Sequence, residues 1–162
     1  MVPSGCHRKP ATKAVARYPN LRIPATCNAS PHGVCDPETV KLRCLIVDDS
    51  SSFLEAAQAL LEREGLSVVG VASSGGEALA RAEELRPDVV LVDISLRGES
   101  GFEVTRRLVE DSDDGGSSVI LISTHSESDF ADLIEASPAI GFLPKSELSA
   151  QAIRQLVNGR SR

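Results

Sequence analysis

Residues 87–101 read Pro87-Asp-Val-Val-Leu-Val-Asp93-Ile-Ser-Leu-Arg-Gly-Glu-Ser-Gly101. Four consecutive apolar residues, three of them β-branched, stand between two acids, with a proline ahead of them. A short apolar run without alternation marks a strand buried on both faces, as in a parallel sheet, here over 88–93. After Asp93 the chain turns polar and then enters a segment over 101–110 with Phe102, Val104 and Leu108 at helical spacing. A strand that ends on an acid and leads through a loop into a helix is the unit that open α/β folds use at their ligand edge.

The same unit recurs on either side. Upstream, 43–48 (Arg-Cys-Leu-Ile-Val-Asp) reads as a buried strand, and 52–64 as a helix with Phe53, Leu54, Ala57, Leu60 and Leu61 on one face, stopped by Gly65. A strand over 67–72 and a helix over 77–85, ended by Pro87, follow. Downstream come a loop over 111–118, a strand over 119–123, a short helix over 129–136 before Ser137-Pro138, a strand over 140–143, and a last helix to Val157 capped by Ser146. Five β-α pairs with continuous apolar strands predict a doubly wound α/β sandwich: a five-stranded parallel sheet with helices on both faces.

Composition narrows the function classes. With 41% hydrophobic and 25% charged residues, the 162-residue chain suits one soluble domain plus an extension. No run approaches the roughly 20 apolar residues of a membrane helix, and no apolar h-region marks a secretory signal. A cytoplasmic location is expected. Aromatics at 3% leave little for stacking on bases. Charge is divided: residues 1–35 carry five basic residues and no acid, whereas the rest sets 12 basic against 23 acidic residues, a net −11. An acidic domain repels nucleic-acid phosphate, so direct DNA binding is not expected. Residues 1–38 hold six of the nine prolines and no hydrophobic periodicity, and read as a basic, disordered extension. Cys27, His32 and Cys35 lie in it, but no paired C-x-x-C supports a zinc site. The domain is expected over 41–158, with 159–162 as a tail.

Five polar residues then fall at one place, the carboxyl edge of the predicted sheet. Asp48 and Asp49 end the first strand, Asp93 the third and Ser123 the fourth; Lys145 follows the fifth. Clustered carboxylates repel unless a cation joins them. Their oxygens suit a hard divalent ion such as Mg²⁺, and a carboxylate can itself become an aspartyl phosphate. Lys145 and the Ser123 hydroxyl would complete a phosphoryl site with positive charge and a hydrogen-bond donor. The acids at 111, 113 and 114 lie at the opposite edge and read as a solvated loop.

With these residues in view, the sequence resembles the response regulator receiver domain of bacterial two-component signalling. The motifs are Leu45-Ile-Val-Asp-Asp49, the stretch from Pro87 to Gly101, Leu121-Ile-Ser-Thr124 and Gly141-Phe-Leu-Pro-Lys145. The spacings of 44 from Asp49 to Asp93, 30 on to Ser123 and 22 on to Lys145 also fit. The resemblance implies a flavodoxin-like strand order 2-1-3-4-5. It implies that Asp93 is the phosphoacceptor and that Mg²⁺ is held by Asp49, Asp93, the Ser95 backbone carbonyl and, through water, Asp48. Ser123 and Lys145 would contact the phosphoryl group, with Ser123 and Phe142 as switch residues, Phe142 turning inward on activation. Thr124 takes the small-residue position beside them. Arg97 stands where many members have proline, and Ser146 replaces the proline that often follows the lysine; neither change removes a reactive group. His125 lies close enough to the switch serine to influence water access.

The implied partners are a sensor histidine kinase or histidine phosphotransfer protein and, downstream, a protein or a second copy at the face formed by the fourth helix, fifth strand and fifth helix. No enzymatic turnover is expected beyond phosphoryl acceptance and slow autodephosphorylation. Two other readings are weaker. A Mg²⁺-dependent hydrolase with an aspartyl nucleophile needs a second acid two residues on, where Ser95 stands. A pseudo-receiver scaffold would lack an acid or the lysine, and none is missing. Only five residues follow Val157, so no effector module fits after it in the chain as given, and output is expected through a partner.

Overall fold

The computed structural model describes residues 41–112 and 116–159. The basic Pro-rich stretch, the Cys27, His32 and Cys35 group, Asp113, Asp114 and the last three residues lie outside that range. The main strands are β1 (Arg43–Val47), β2 (Ser67–Ala72), β3 (Val89–Asp93), β4 (Ser118–Ser123) and β5 (Gly141–Pro144). The helices are α1 (Ser51–Arg63), α2 (Gly75–Leu85), α3 (Gly101–Glu110), α4 (Ala131–Ala136) and α5 (Ala150–Gly159). All neighbouring main strands pair in parallel, in the order β2-β1-β3-β4-β5.

Alternation along the strands accounts for the sandwich. Cys44, Ile46, Val89, Leu91, Ile120, Ile122 and Leu143 face one side, where Leu54, Ala57 and Leu61 of α1 and Ile153 of α5 cover them. Leu45, Val47, Val90, Val92, Val119, Leu121 and Phe142 face the other, under Ala78 of α2 and Val104 and Leu108 of α3. Both strand faces are therefore apolar, and period-two polarity is absent as in other two-sided sheets. Cys44 is completely buried, and burial pushes its thiol up to about 12.

Local chemistry sets the helix ends. Ser50 caps α1 by accepting the Phe53 N–H, and Ser74 caps α2 through Glu77 N–H. At the C-terminus of α2, Arg86 adopts a left-handed conformation with φ 45°, the only positive φ outside glycine among the described residues. That conformation costs an L-residue about 1–2 kcal/mol, while glycine adds about 0.5–1 kcal/mol of unfolded-state entropy. Arg86→Gly is thus expected to stabilise the fold by about 0.5–1 kcal/mol, read as a higher urea midpoint at unchanged slope. An unchanged or lower midpoint contradicts it.

Three local features differ from expectation. The last helix is not capped by Ser146. Lys145–Glu147 forms a 3₁₀ turn, Leu148 folds into the core, and α5 begins at Ala150. Ser149 serves the first turn instead, its Oγ accepting Ala152 N–H at 3.1 Å and its carbonyl accepting Ile153 N–H at 3.1 Å. The Glu64 carboxylate adds a third acceptor, 2.6 Å from Ala150 N. Burial of Leu148 outweighs the capping preference of Ser146. The helix expected from 129 is split into a 3₁₀ turn, Glu127–Asp129, closed by a Ser126–Asp129 capping box, and α4. Finally, the loop after β3 contains a minimal antiparallel hairpin, Ser95–Leu96 against Glu99–Ser100, turned at Gly98 with φ 75°.

Candidate functional site

The parallel register carries the strand ends to one rim. Asp93 pairs with Ile122, which places Ser123 one residue further along the next strand. Ser123 pairs in turn with Pro144, so Lys145 follows at once. Asp48 and Asp49 leave β1 beside Asp93. The five residues singled out from sequence therefore stand on four neighbouring chain segments of one edge.

Asp48 is fully buried and Asp93 is 5% exposed, whereas the Asp49 side chain keeps 26% of its surface. One oxygen from each carboxylate lies within 4.8 Å of the others. Asp48 Oδ1 accepts the Ser50 N–H at 2.8 Å. The Lys145 ammonium sits 2.5 Å from Asp48 Oδ2 and 3.5 Å from Asp93 Oδ2, and 4.3 Å above the Phe53 ring centroid. Among the described residues the buried Asp48 Oδ2 meets no donor other than this ammonium. Arg97 Nε lies 3.5 Å from Asp49 Oδ2, but the arginine is 90% exposed and its pull is weakened by solvent.

Three carboxylates thus meet one partly buried ammonium and one exposed guanidinium. Burial holds the Asp93 carboxyl above the usual carboxylate range; Lys145 pulls it down and Asp48 pushes it further up. An all-oxygen donor set in which three carboxylates outnumber the cations beside them fits a hard dication. Such a site suits Mg²⁺ better than a soft transition metal, which would favour sulfur or imidazole ligands.

Ser123 is 1% exposed, and its Oγ accepts the His125 backbone N–H at 3.1 Å and faces His125 Nδ1 at 3.5 Å. Ser95 lies in the hairpin beyond Asp93 and gives it a backbone hydrogen bond. Phe142 is 8% exposed and already packed in the core on the α2–α3 side of the sheet.

Other groups at the site escaped the sequence reading. Phe53 was legible only as the first apolar position of α1, since helical spacing does not tell a core ring from one under a lysine. Gly101 lets the start of α3 lie against the end of β3: its N–H donates to Ile94 O at 2.9 Å, and a Cβ there would collide with the Asp93 carbonyl. Glu99 anchors the hairpin by accepting the Gly75 N–H at 2.8 Å, at the start of α2.

The model of the response regulator receiver domain matches residues 44–158. The chain belongs to this family. The receiver domain is 35% identical over 123 residues to response regulator GacA of Pseudomonas aeruginosa, a match covering 74% of this chain and 56% of GacA. It is 42% identical over 82 residues to protein PilH of the same organism, covering 51% of this chain and 67% of PilH. Among solved structures, a LuxR-family two-component response regulator from Aurantimonas sp. SI85-9A1 superposes with a TM-score of 0.66 at 32% identity, over 74% of this chain and 87% of that one. The receiver chain spans little more than half the length of GacA. Among the described residues no helix is long and apolar enough to cross a membrane.

Proposed function

We propose that this receiver accepts a phosphoryl group on Asp93 from a phosphohistidine of a sensor kinase or histidine phosphotransfer protein, with Mg²⁺ bound by Asp49, Asp93, the Ser95 carbonyl and, through water, Asp48. The observation that supports it best is the gathering of three carboxylates, a partly buried lysine and a serine hydroxyl on one rim of the sheet. Bound Mg²⁺ would supply positive charge to the carboxylates and to the phosphoryl oxygens. A carboxylate oxygen of Asp93 attacks phosphorus in line. The new P–O bond forms as the P–N bond to the donor imidazole breaks, and its electron pair returns to the ring nitrogen. Ser123 donates to one equatorial oxygen, and Lys145 pairs with another, shifting from Asp48 as negative charge grows beside Asp93. Residues 41–158 form the receiver unit, acting in the cytoplasm, and the downstream partner or second copy meets the α4-β5-α5 face. The domain has no turnover of its own beyond slow loss of the phosphoryl group.

Incubation with Mg²⁺ and acetyl phosphate tests this. Intact-mass measurement should show one hydroxylamine-labile phosphoryl group per chain, and none after chelation. A protein that stays unmodified, or is modified without divalent cation, overturns the reading. Binding should also stabilise the fold. At 100 times its Kd the ion contributes about 2.7 kcal/mol. Asp49→Ala should lose most of that gain in thermal melts; a full gain in the variant would show that the ion sits elsewhere.

A further inference from the structure

Among the described residues no element covers the outer face of α4. Its six residues, Ala131–Ala136, include no buried side chain, and Leu133 is the one large apolar residue left exposed among those described, at 54%. Phe130 and Ile134, both partly buried, hold the segment to the core. Just after the helix, Pro138, Ala139 and Ile140 form one wall of an open groove of about 410 Å³, and Gln155 and Leu156 of α5 form the other. Helix face and groove make one continuous surface along the chain.

Charge limits what fits there. Glu127, Asp129, Asp132 and Glu135 stand over 126–136, all exposed and with no basic residue among them, a net −4. None of the four is in an ion pair among the described residues. By the same count α1 carries −1, α2 −2, α3 zero and α5 +1. The chain's own cations gather ahead of the domain. Lys9, Lys13, Arg17 and Arg22 stand in a stretch without acids, interspersed with Val15, Tyr18, Leu21 and Ile23. Such a stretch complements an acidic face that surrounds an exposed leucine and adjoins an apolar groove.

The topology puts the two within reach. β1 and β5 are parallel members of one sheet and start at the same edge, three strand spacings apart, or about 14 Å. Residues 1–40 therefore join the domain at Lys41 along the edge where Ile140 and the groove lie. α4 runs toward that edge, because it links the end of β4 to the start of β5. The 17 residues between Ile23 and Lys41 can span up to about 60 Å, several times the distance needed.

We infer that residues 9–23 of this chain cover α4 and the groove beside it, with Leu21 and Ile23 at the groove and Lys9, Lys13 and Arg17 further along Glu135, Asp132 and Asp129. Tethering presents the segment to the face at an effective concentration on the order of millimolar, and the ionic part of the contact weakens with salt. The contact needs neither the metal ion nor the phosphoryl group, and any other ligand of the face has to displace it.

Zero-length carbodiimide cross-linking of the full chain at low protein concentration, mapped by mass spectrometry, tests this. Lys9 and Lys13 should be joined to Asp129, Asp132 and Glu135 within one chain, in preference to Glu83 and Glu84 of α2. Raising salt from about 0.01 M to about 1 M shortens the screening length from roughly 30 Å to roughly 3 Å. The yield should then fall by about fivefold or more, equivalent to about 1 kcal/mol. Asp132→Lys with Glu135→Lys, both at exposed positions, should lower it as far at low salt. Adding Lys9→Glu, Lys13→Glu and Arg17→Glu to that pair should restore cross-links between the same positions, with amine and carboxylate exchanged. Three results would each overturn the inference: cross-links spread evenly over the acids of α1, α2 and α4; links formed only between ¹⁴N and ¹⁵N chains, which would make a second copy the occupant; or no recovery in the swapped chain.

Discussion

Asp93→Asn is expected to take up no phosphoryl group and yet to be more stable than the native protein at neutral pH without divalent cations. Loss of uptake follows from replacing the attacking carboxylate with an amide that is not nucleophilic on oxygen. The gain in stability follows from the neighbours. At these separations the Asp48 repulsion and the Lys145 attraction are each about 4 kcal/mol in partly shielded surroundings, and they largely cancel. What remains is the cost of burying a charge that is 5% exposed, and an isosteric amide avoids much of it. The expected gain is about 1 kcal/mol, with Lys145 still paired to Asp48 at 2.5 Å. The pH dependence has a definite sign. Because the folded carboxyl sits above its ordinary range, the folded state binds more protons than the unfolded chain between the two values, so native stability falls as pH rises through that window. The advantage of the variant should therefore be complete above the raised value and vanish below the ordinary carboxylate range. Saturating Mg²⁺ should reverse the order, since the native site gains a ligand that the amide supplies poorly. Urea unfolding at several pH values, with and without Mg²⁺, checks each part; a variant that is less stable at neutral pH without Mg²⁺ contradicts the account.

Gly101→Ala should be among the most damaging single-methyl additions in the molecule. The new Cβ would run into the Asp93 carbonyl oxygen and lie 2.8 Å from Ile94 Cα. Both obstacles are backbone, held by the β3–β4 ladder and by the Gly101 N–H bond to Ile94 O. No rotamer change can relieve the clash; either α3 or the end of β3 must shift. A cost of about 3 kcal/mol or more is expected, at the upper end for overpacking, together with slower phosphoryl uptake in whatever fraction folds. Gly76→Ala is the control: its Cβ would meet nothing within 4 Å, and alanine is the better helix former by about 1 kcal/mol. If the two variants melt alike, close approach at Gly101 is not what requires glycine there.

The sheet was legible because its signal is redundant. The apolar runs at 44–47 and 89–92 can be buried only from both sides, and the acids that end them then have a single edge to occupy. The sequence alone therefore places Asp48, Asp49, Asp93, Ser123 and Lys145 at one edge. Features set by competition between weak local terms were not legible. Ser146 and Ser149 are equally good caps by residue type, and the choice fell to the burial of Leu148 and the reach of Glu64 from the end of α1. The hairpin after Asp93 is two residues per strand, too short for any alternation to show. The burial of Phe142 depends on which helices cover that side of the sheet, which spacing along the chain does not reveal.

Cys44 gives the domain a built-in stopwatch. With its thiol raised to about 12 and no exposed surface, β1 must leave the middle of the sheet before an alkylating reagent can meet a thiolate. Labelling therefore counts openings of the whole fold and ignores fraying at its edges. With Cys6, Cys27 and Cys35 replaced by serine, a single mass increment marks each chain that has opened and reacted. Any ion, phosphoryl group or partner that favours the closed state should slow this clock by the factor it adds to the folding equilibrium, when reclosing outpaces labelling.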